Sequence, residues 1–258
     1  MMELEVKNFK GIEHLKLELS PITVYRGDFK SSLLEAILIN CYVEPSYLFT
    51  AAQGRVKRCE PWKYLFPFGD CSKRISIRLG ERLVEMFVET TVVQTLELRR
   101  TFTTVLNETK KFRVYYDDSK KLFVSEMPEN FVDEDLVFVH LTDGVFSWRE
   151  IAAYLPLAQG FAERLQEFSG MQIGEITVEE YLGELLPFVE VNGFKAPVTC
   201  HGNRFALLFD FVLSLCLPTK VLLGDEIEIN RDLLPHDRLI VLTERERKSQ
   251  VLGSTQGG

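Results

Sequence analysis

Nowhere in its 258 residues does the chain hold a run of about 18 consecutive apolar residues, and its first 20 residues alternate charge with hydrophobe. Neither a membrane span nor a secretory signal is expected, and a cytoplasmic location is. The cysteines, Cys41, Cys59, Cys71, Cys200 and Cys216, are an odd number without a C-x-x-C pair. That excludes a zinc ribbon or dithiol redox motif and leaves buried free thiols as the expectation. The histidines, His14, His140, His201 and His236, lack H-x-x-x-H spacing, so no helical zinc site is assigned. Positive charge is also short: 30 Lys and Arg face 38 Asp and Glu, for a net charge of −8. A general nucleic-acid coat protein is excluded, because affinity for phosphate backbones rests on clustered basic residues. No repeat or low-complexity stretch is present, and only the glycine-rich tail 253–258 reads as flexible.

What is present suits a folded protein with its own core: 46% hydrophobic and 11% aromatic residues. Charge is unevenly placed. Residues 1–125 carry 20 basic and 16 acidic side chains, a net of +4, whereas residues 126–258 carry 10 and 22, a net of −12. Arg55, Lys57 and Arg58 cluster in one loop-like stretch and are the candidate nucleic-acid patch.

Alternation of apolar and charged residues predicts two opening strands over 2–8 and 15–19, then a short strand over 21–25. Gly27, Asp28 and Phe29 then lead into a helix over 31–42, whose apolar face is Leu33, Leu34, Ile37, Leu38 and Cys41. Between 72 and 125, β-branched and aromatic runs separated by turns predict an antiparallel meander, with a further short strand over 137–140. Helical patterns are read over 151–157, 161–168 and 178–186, and a strongly apolar helix over 204–217. Buried strands are read over 221–223 and 239–242. The expected fold is α/β, a core with an antiparallel β lobe and a helical segment beside it. It is expected as one domain over 1–252, with the core at 1–45 and 190–245, the β lobe at 72–140 and the helical segment at 148–189.

Three stretches carry possible chemistry. Gly27-Asp-Phe-Lys30-Ser31 joins a strand to a helix, followed by Ser32. Val221-Leu-Leu-Gly-Asp225-Glu226 ends a buried strand in two carboxylates. His201-Gly202 precedes the apolar helix. With Leu4-Glu-Val-Lys-Asn-Phe-Lys-Gly-Ile12 and Leu17-Glu-Leu-Ser-Pro-Ile-Thr-Val24, these stretches in this order resemble the ATPase heads of the ABC superfamily. The branch is that of RecF and structural-maintenance-of-chromosomes proteins, in compact form without a coiled coil. The resemblance covers residues 2–40 and 198–244 and implies a P-loop NTPase-like fold for the α/β core. It implies ATP held by Gly27, Lys30, Ser31 and Ser32, magnesium held through Ser31 and Asp225, and Glu226 as the residue that polarises the attacking water. It makes His201 and Gly202 the signature-like pair that contacts nucleotide on an opposing protomer.

The chain departs from that pattern. Two residues separate Gly27 from Lys30 where the phosphate loop has five, and Phe29 stands where the second glycine belongs, a residue expected to resist a left-handed backbone. His201 replaces the signature serine, and Glu244 replaces the switch histidine after Leu239-Ile-Val-Leu-Thr243. The helix that should follow Asp225-Glu226 is expected to shrink to a turn around 231–236. The resulting expectation is a degenerate ABC/SMC-like ATPase homologue that acts without hydrolysis as an interaction or regulatory subunit, in a DNA-maintenance or defence complex. Two alternatives stand beside it: a divergent active ATPase binding ATP and magnesium between two protomers, and a nucleic-acid-binding module built on the basic β lobe. A protein partner or a homodimer is expected, with DNA reached through a partner or the β lobe, and no membrane.

Overall fold

The run Lys30–Cys41 (α1) buries Leu33, Leu34, Ala36, Ile37, Leu38, Ile39 and Cys41, so it is apolar on every side rather than along one stripe. A helix of that kind is stable only between two layers, and the computed structural model places it there. The structure describes residues 1–41, 61–92, 98–117, 122–126, 139–142, 153–181 and 183–244. Among them the protein is mixed α/β, with three β-sheets and three α-helices.

One side of α1 packs on a seven-stranded antiparallel sheet. Its strands are β1 (Met2–Phe9), β2 (Ile12–Leu19), β4 (Ile75–Leu79), β5 (Arg82–Val92), β6 (Leu98–Leu106), β7 (Lys110–Asp117) and β8 (Leu122–Glu126), in the order β2-β1-β4-β5-β6-β7-β8. Leu4, Val6, Ile75, Ile77, Leu79, Val84, Met86 and Phe102 form the face turned to the helix. The opposite side of α1 packs on a four-stranded parallel sheet, in the order β3 (Ile22–Tyr25), β14 (Leu239–Thr243), β13 (Val221–Gly224), β9 (Val139–Thr142). Val221, Leu223, Leu239 and Val241 join the same core as the antiparallel sheet. The alternate residues Leu222, Ile240 and Leu242 face Phe211, Leu215, Ile227 and Leu234 in a second core. Strands buried on both faces read as unbroken apolar runs, which is why β13 and β14 were legible as such.

Phe211 and Leu215 of that second core belong to helix α3 (Asn203–Leu215). Its other face, with Phe205, Phe209 and Val212, meets helix α2 (Phe161–Ser169) and a three-stranded antiparallel sheet. That sheet is β10 (Ile173–Tyr181), β11 (Glu184–Val191) and β12 (Phe194–Pro197). Phe161 meets Phe209 edge to face, ring centroids 4.8 Å apart.

Several expectations change here. The opening pair β1–β2 belongs to the antiparallel sheet, because Leu4 to Lys7 pair with β4 instead of with the parallel strands. The described residues of 178–186 are not helical: Tyr181 pairs with Glu184, Gly183 takes φ 81, and Pro187 pairs with Val178 inside the strand. Glycine supplies the left-handed turn residue, and proline, which breaks a helix interior, is accepted by the strand. Leu155–Leu157 forms a 3-10 turn around Pro156. Between β13 and β14 there is no α-helix, only the 3-10 turn Arg231–Leu233, as expected. The thiol of Cys41 is buried and pushed up to about 12 by burial, but Cys71 and Cys216 are half-buried and Cys200 is exposed, so burial does not extend to all of them. The tail 253–258 and the cluster Arg55, Lys57 and Arg58 lie outside the described residues.

Asn40 fastens α1 to the larger sheet. Buried on the helix, it donates from Nδ2 to the carbonyls of Ile77 at 2.9 Å and Arg82 at 3.1 Å. Arg82 returns the contact, donating from Nε to the carbonyl of Asn40 at 2.6 Å and from Nη2 to that of Cys41 at 3.4 Å, a cation on the last carbonyls of the helix. Replacing Asn40 with leucine removes this donor from one buried carbonyl, that of Ile77, and one part-buried carbonyl, that of Arg82. Urea denaturation is expected to show a loss of about 1–3 kcal/mol; an unchanged midpoint contradicts this role.

Candidate functional site

Parallel strands in register bring their carboxyl ends to one edge, where loops from different strands converge. Here Val24 and Gly224 both pair with Leu242, so the residues after β3, β13 and β14 meet. They are the Gly27–Lys30 loop with the amino end of α1, the Asp225-Glu226 pair, and Thr243-Glu244. The structure therefore gathers at one edge Gly27, Lys30, Ser31, Ser32 and Asp225, which the resemblance assigns to nucleotide and magnesium, and Glu226, which it assigns to the attacking water.

The loop is clasped from within. Tyr25 donates its hydroxyl to the carbonyl of Asp28 at 3.0 Å. Gly27 sits beneath that hydroxyl: a Cβ there would lie 2.8 Å from Tyr25 Oη, so a larger residue would displace the tyrosine from this clasp. Phe29 takes φ 61, the left-handed conformation expected to be resisted by a bulky residue, and it does so immediately before the lysine. The strain is of order 1–2 kcal/mol. What holds it is its surroundings: the carbonyl of Phe29 accepts from the N–H of Leu33 at 2.8 Å, closing the first turn of α1, and its half-exposed ring lies over Gly11, where a Cβ would fall 2.3 Å from Cε1. Glycine in the tight β1–β2 turn thus leaves room for this ring, which a Cβ would push aside. The shortened loop consequently keeps a left-handed residue ahead of a helix amino end, where the first N–H groups have no partner within the helix and the dipole favours an anion.

Asp225 is the centre of the cluster. Ser31 Oγ donates to its Oδ2 at 2.8 Å, and Thr243 Oγ1 donates to its Oδ1 at 2.6 Å. Thr243, fully buried at the end of β14, also accepts from the N–H of Glu226 at 2.9 Å. One hydroxyl therefore fixes both the carboxylate of Asp225 and the backbone of its neighbour. Glu226 is exposed and takes φ 53, turning the chain sharply out of the strand. Gly224 lets the strand end pack closely, since a Cβ would meet Leu242 Cδ2 at 2.8 Å and Ile227 Cδ1 at 3.0 Å. Lys30 donates from Nζ to the carbonyl of Glu244 at 2.8 Å. The carboxylate of Glu244 takes Arg26 Nε on one oxygen at 2.6 Å and Arg231 on the other. Glu244 thus pairs with two arginines at once, leaving the trio with a net positive charge.

Ser31 is exposed and Asp225 half-buried, so a cation from solvent reaches both oxygens. Among the described residues no three His, Cys, Asp or Glu side chains group to hold a metal unaided. Magnesium suits this sparse set, because it keeps waters and takes one or two protein oxygens together with phosphate.

His201 and Gly202 lie apart from this cluster, at the start of α3. The Nε2 of His201 is 3.1 Å from the carbonyl of Val189, and its ring packs against Phe194 and Phe205, at 5.9 and 5.4 Å between centroids. Gly202 takes φ 98 at the helix cap. Just beyond it, Arg204 approaches Glu228 at 3.6 Å, so this helix start faces the segment following Asp225-Glu226. Reasoning from sequence did not single out Thr243, Arg26 or Arg231. The available signal for the first was a hydroxyl closing an otherwise apolar strand.

No protein-family model matches the chain, and no curated protein matches its sequence. The site therefore rests on its own geometry.

Replacing Thr243 with valine keeps the volume and removes the hydroxyl from Asp225 and from the N–H of Glu226. A stability loss of about 1–3 kcal/mol is expected in chemical denaturation. Unchanged stability contradicts the bridging role of that hydroxyl.

Proposed function

We propose that the protein is a degenerate homologue of the ABC/SMC-like ATPase heads that binds a magnesium–nucleotide complex and serves as a non-hydrolysing regulatory subunit. The observation that carries this reading is the 2.8 Å contact between Ser31 Oγ and Asp225 Oδ2. In phosphate-loop NTPases a loop serine or threonine and an acidic residue ending a buried strand hold magnesium. Here residues 194 positions apart present that pair of oxygens beside a lysine and a helix amino end. Magnesium supplies charge neutralisation on the phosphates when bound. The chain's own contribution is to orient Ser31 and Asp225 through α1 and Thr243, and to offer Lys30 to the outer phosphates.

Hydrolysis is weak in this reading for two reasons. A loop three residues short encloses less of the triphosphate, and enclosure by oriented N–H groups is what stabilises charge as it develops. The residue after β14 is a carboxylate engaged with arginines, not a group that donates to the terminal phosphate. The intact Asp225-Glu226 pair favours one competing reading, an active ATPase completed by a second protomer, in which Glu226 polarises water.

Calorimetric titration with ATP and magnesium separates these cases. Wild type is expected to bind, and Lys30→Ala and Asp225→Ala are each expected to weaken binding about tenfold or more. Turnover is expected at background and unaltered by Glu226→Gln. Binding unaffected by both alanine variants contradicts the site, whereas robust magnesium-dependent turnover abolished by Glu226→Gln establishes the active alternative.

A further inference from the structure

Three basic side chains from three separate elements meet at one residue. Arg26 follows β3, Lys30 opens α1, and Arg231 lies in the turn between β13 and β14. The two guanidinium groups occupy the two carboxylate oxygens of Glu244, and Lys30 holds its carbonyl. Surface ion pairs of this exposure contribute little to folding, so stability alone does not account for the convergence. Arg26 and Arg231 also line an open cavity of about 490 Å³ with Leu17, Glu18, Thr23 and Tyr25, beside the loop that leads to Lys30.

We infer that Arg26 and Arg231 are phosphate ligands of this site and that Glu244 is their resident anion, which an incoming triphosphate displaces. This rests on the phosphate-binding reading above. A guanidinium fork fits carboxylate and phosphate oxygens alike, so the same two side chains exchange one anion for the other without rebuilding the site. The exchange sets specificity. A ligand with one or two negative charges gains little over the carboxylate already present, whereas a triphosphate brings enough charge to take both arginines. Glu244 thereby lowers affinity for every phosphate ligand and favours the most highly charged.

The test is a double-mutant cycle read by calorimetry, with magnesium ATP and with inorganic tripolyphosphate plus magnesium as probes. Glu244→Gln keeps the shape, releases the arginines from a charged partner, and is expected to tighten binding of both probes about tenfold. In a chain also carrying Arg26→Ala and Arg231→Ala that gain is expected to vanish, and Arg231→Ala alone is expected to weaken binding. An equal gain without the arginines overturns the inference, since removal of a repulsive charge then suffices. A gain with ATP only overturns the assignment to phosphate. Wild-type binding that depends on Lys30 and Asp225 but is not improved by Glu244→Gln overturns this inference and leaves the phosphate site standing. Absence of binding in wild type and Glu244→Gln alike overturns both.

Discussion

Burial of α1 on both sides is the constraint from which the rest of the molecule follows. A helix with Leu33, Leu34, Ile37 and Ile39 all inside has no solvent face to give up, so one sheet must cover each side. Each such side chain contributes about 1.5–3 kcal/mol on burial. The antiparallel sheet supplies one cover and the parallel sheet the other. With the helix fixed, its amino end cannot drift from the carboxyl edge of β3, β14 and β13. The exposed hydroxyl of Ser31 and the half-buried carboxylate of Asp225 are therefore held together by an apolar core rather than by their own modest hydrogen bond. Local strain is tolerated for the same reason: Phe29 keeps a left-handed backbone because helix, hydroxyl clasp and Gly11 leave it no other place.

Electrostatics at this edge is a matter of distribution. Asp225 is satisfied by two hydroxyls and Glu244 by two arginines, so neither carboxylate is left bare beside Lys30. Hydroxyl partners bring no positive charge to Asp225, which suits a cation. Arginine partners cancel Glu244, which suits the approach of an anion. The two carboxylates thus play opposite parts a short distance from each other.

Much of this was legible in the sequence where the signal is local. Continuous apolar runs announced β13 and β14, and the strand, loop and helix around Gly27–Lys30 followed from alternation giving way to helical spacing. A core sheet drawing on the first and last parts of the chain was likewise expected, but β9, placed in the β lobe at 72–140, pairs with β13 and belongs to that core sheet instead. The hairpin β10–β11 was not, because Val178, Tyr181, Leu185 and Leu186 also fit a helical face; Gly183 and Pro187 decide the matter against it. Phe29 was misread because propensity argues from the residue alone, whereas its backbone is set by contacts with Tyr25, Leu33 and Gly11. Arg26 and Arg231 were invisible as a pair, since their shared partner is 218 residues from one and 13 from the other. Thr243 was hidden by belonging to a strand whose other members serve only the core.

That Ser31 and Asp225 jointly complete a metal–triphosphate site is tested most directly by electron paramagnetic resonance with manganese in place of magnesium and ATP present. With wild-type protein in excess, a slow-tumbling manganese spectrum with phosphorus hyperfine coupling is expected, reverting to that of free manganese–ATP in Ser31→Ala and in Asp225→Ala. A wild-type spectrum indistinguishable from free manganese–ATP would contradict it.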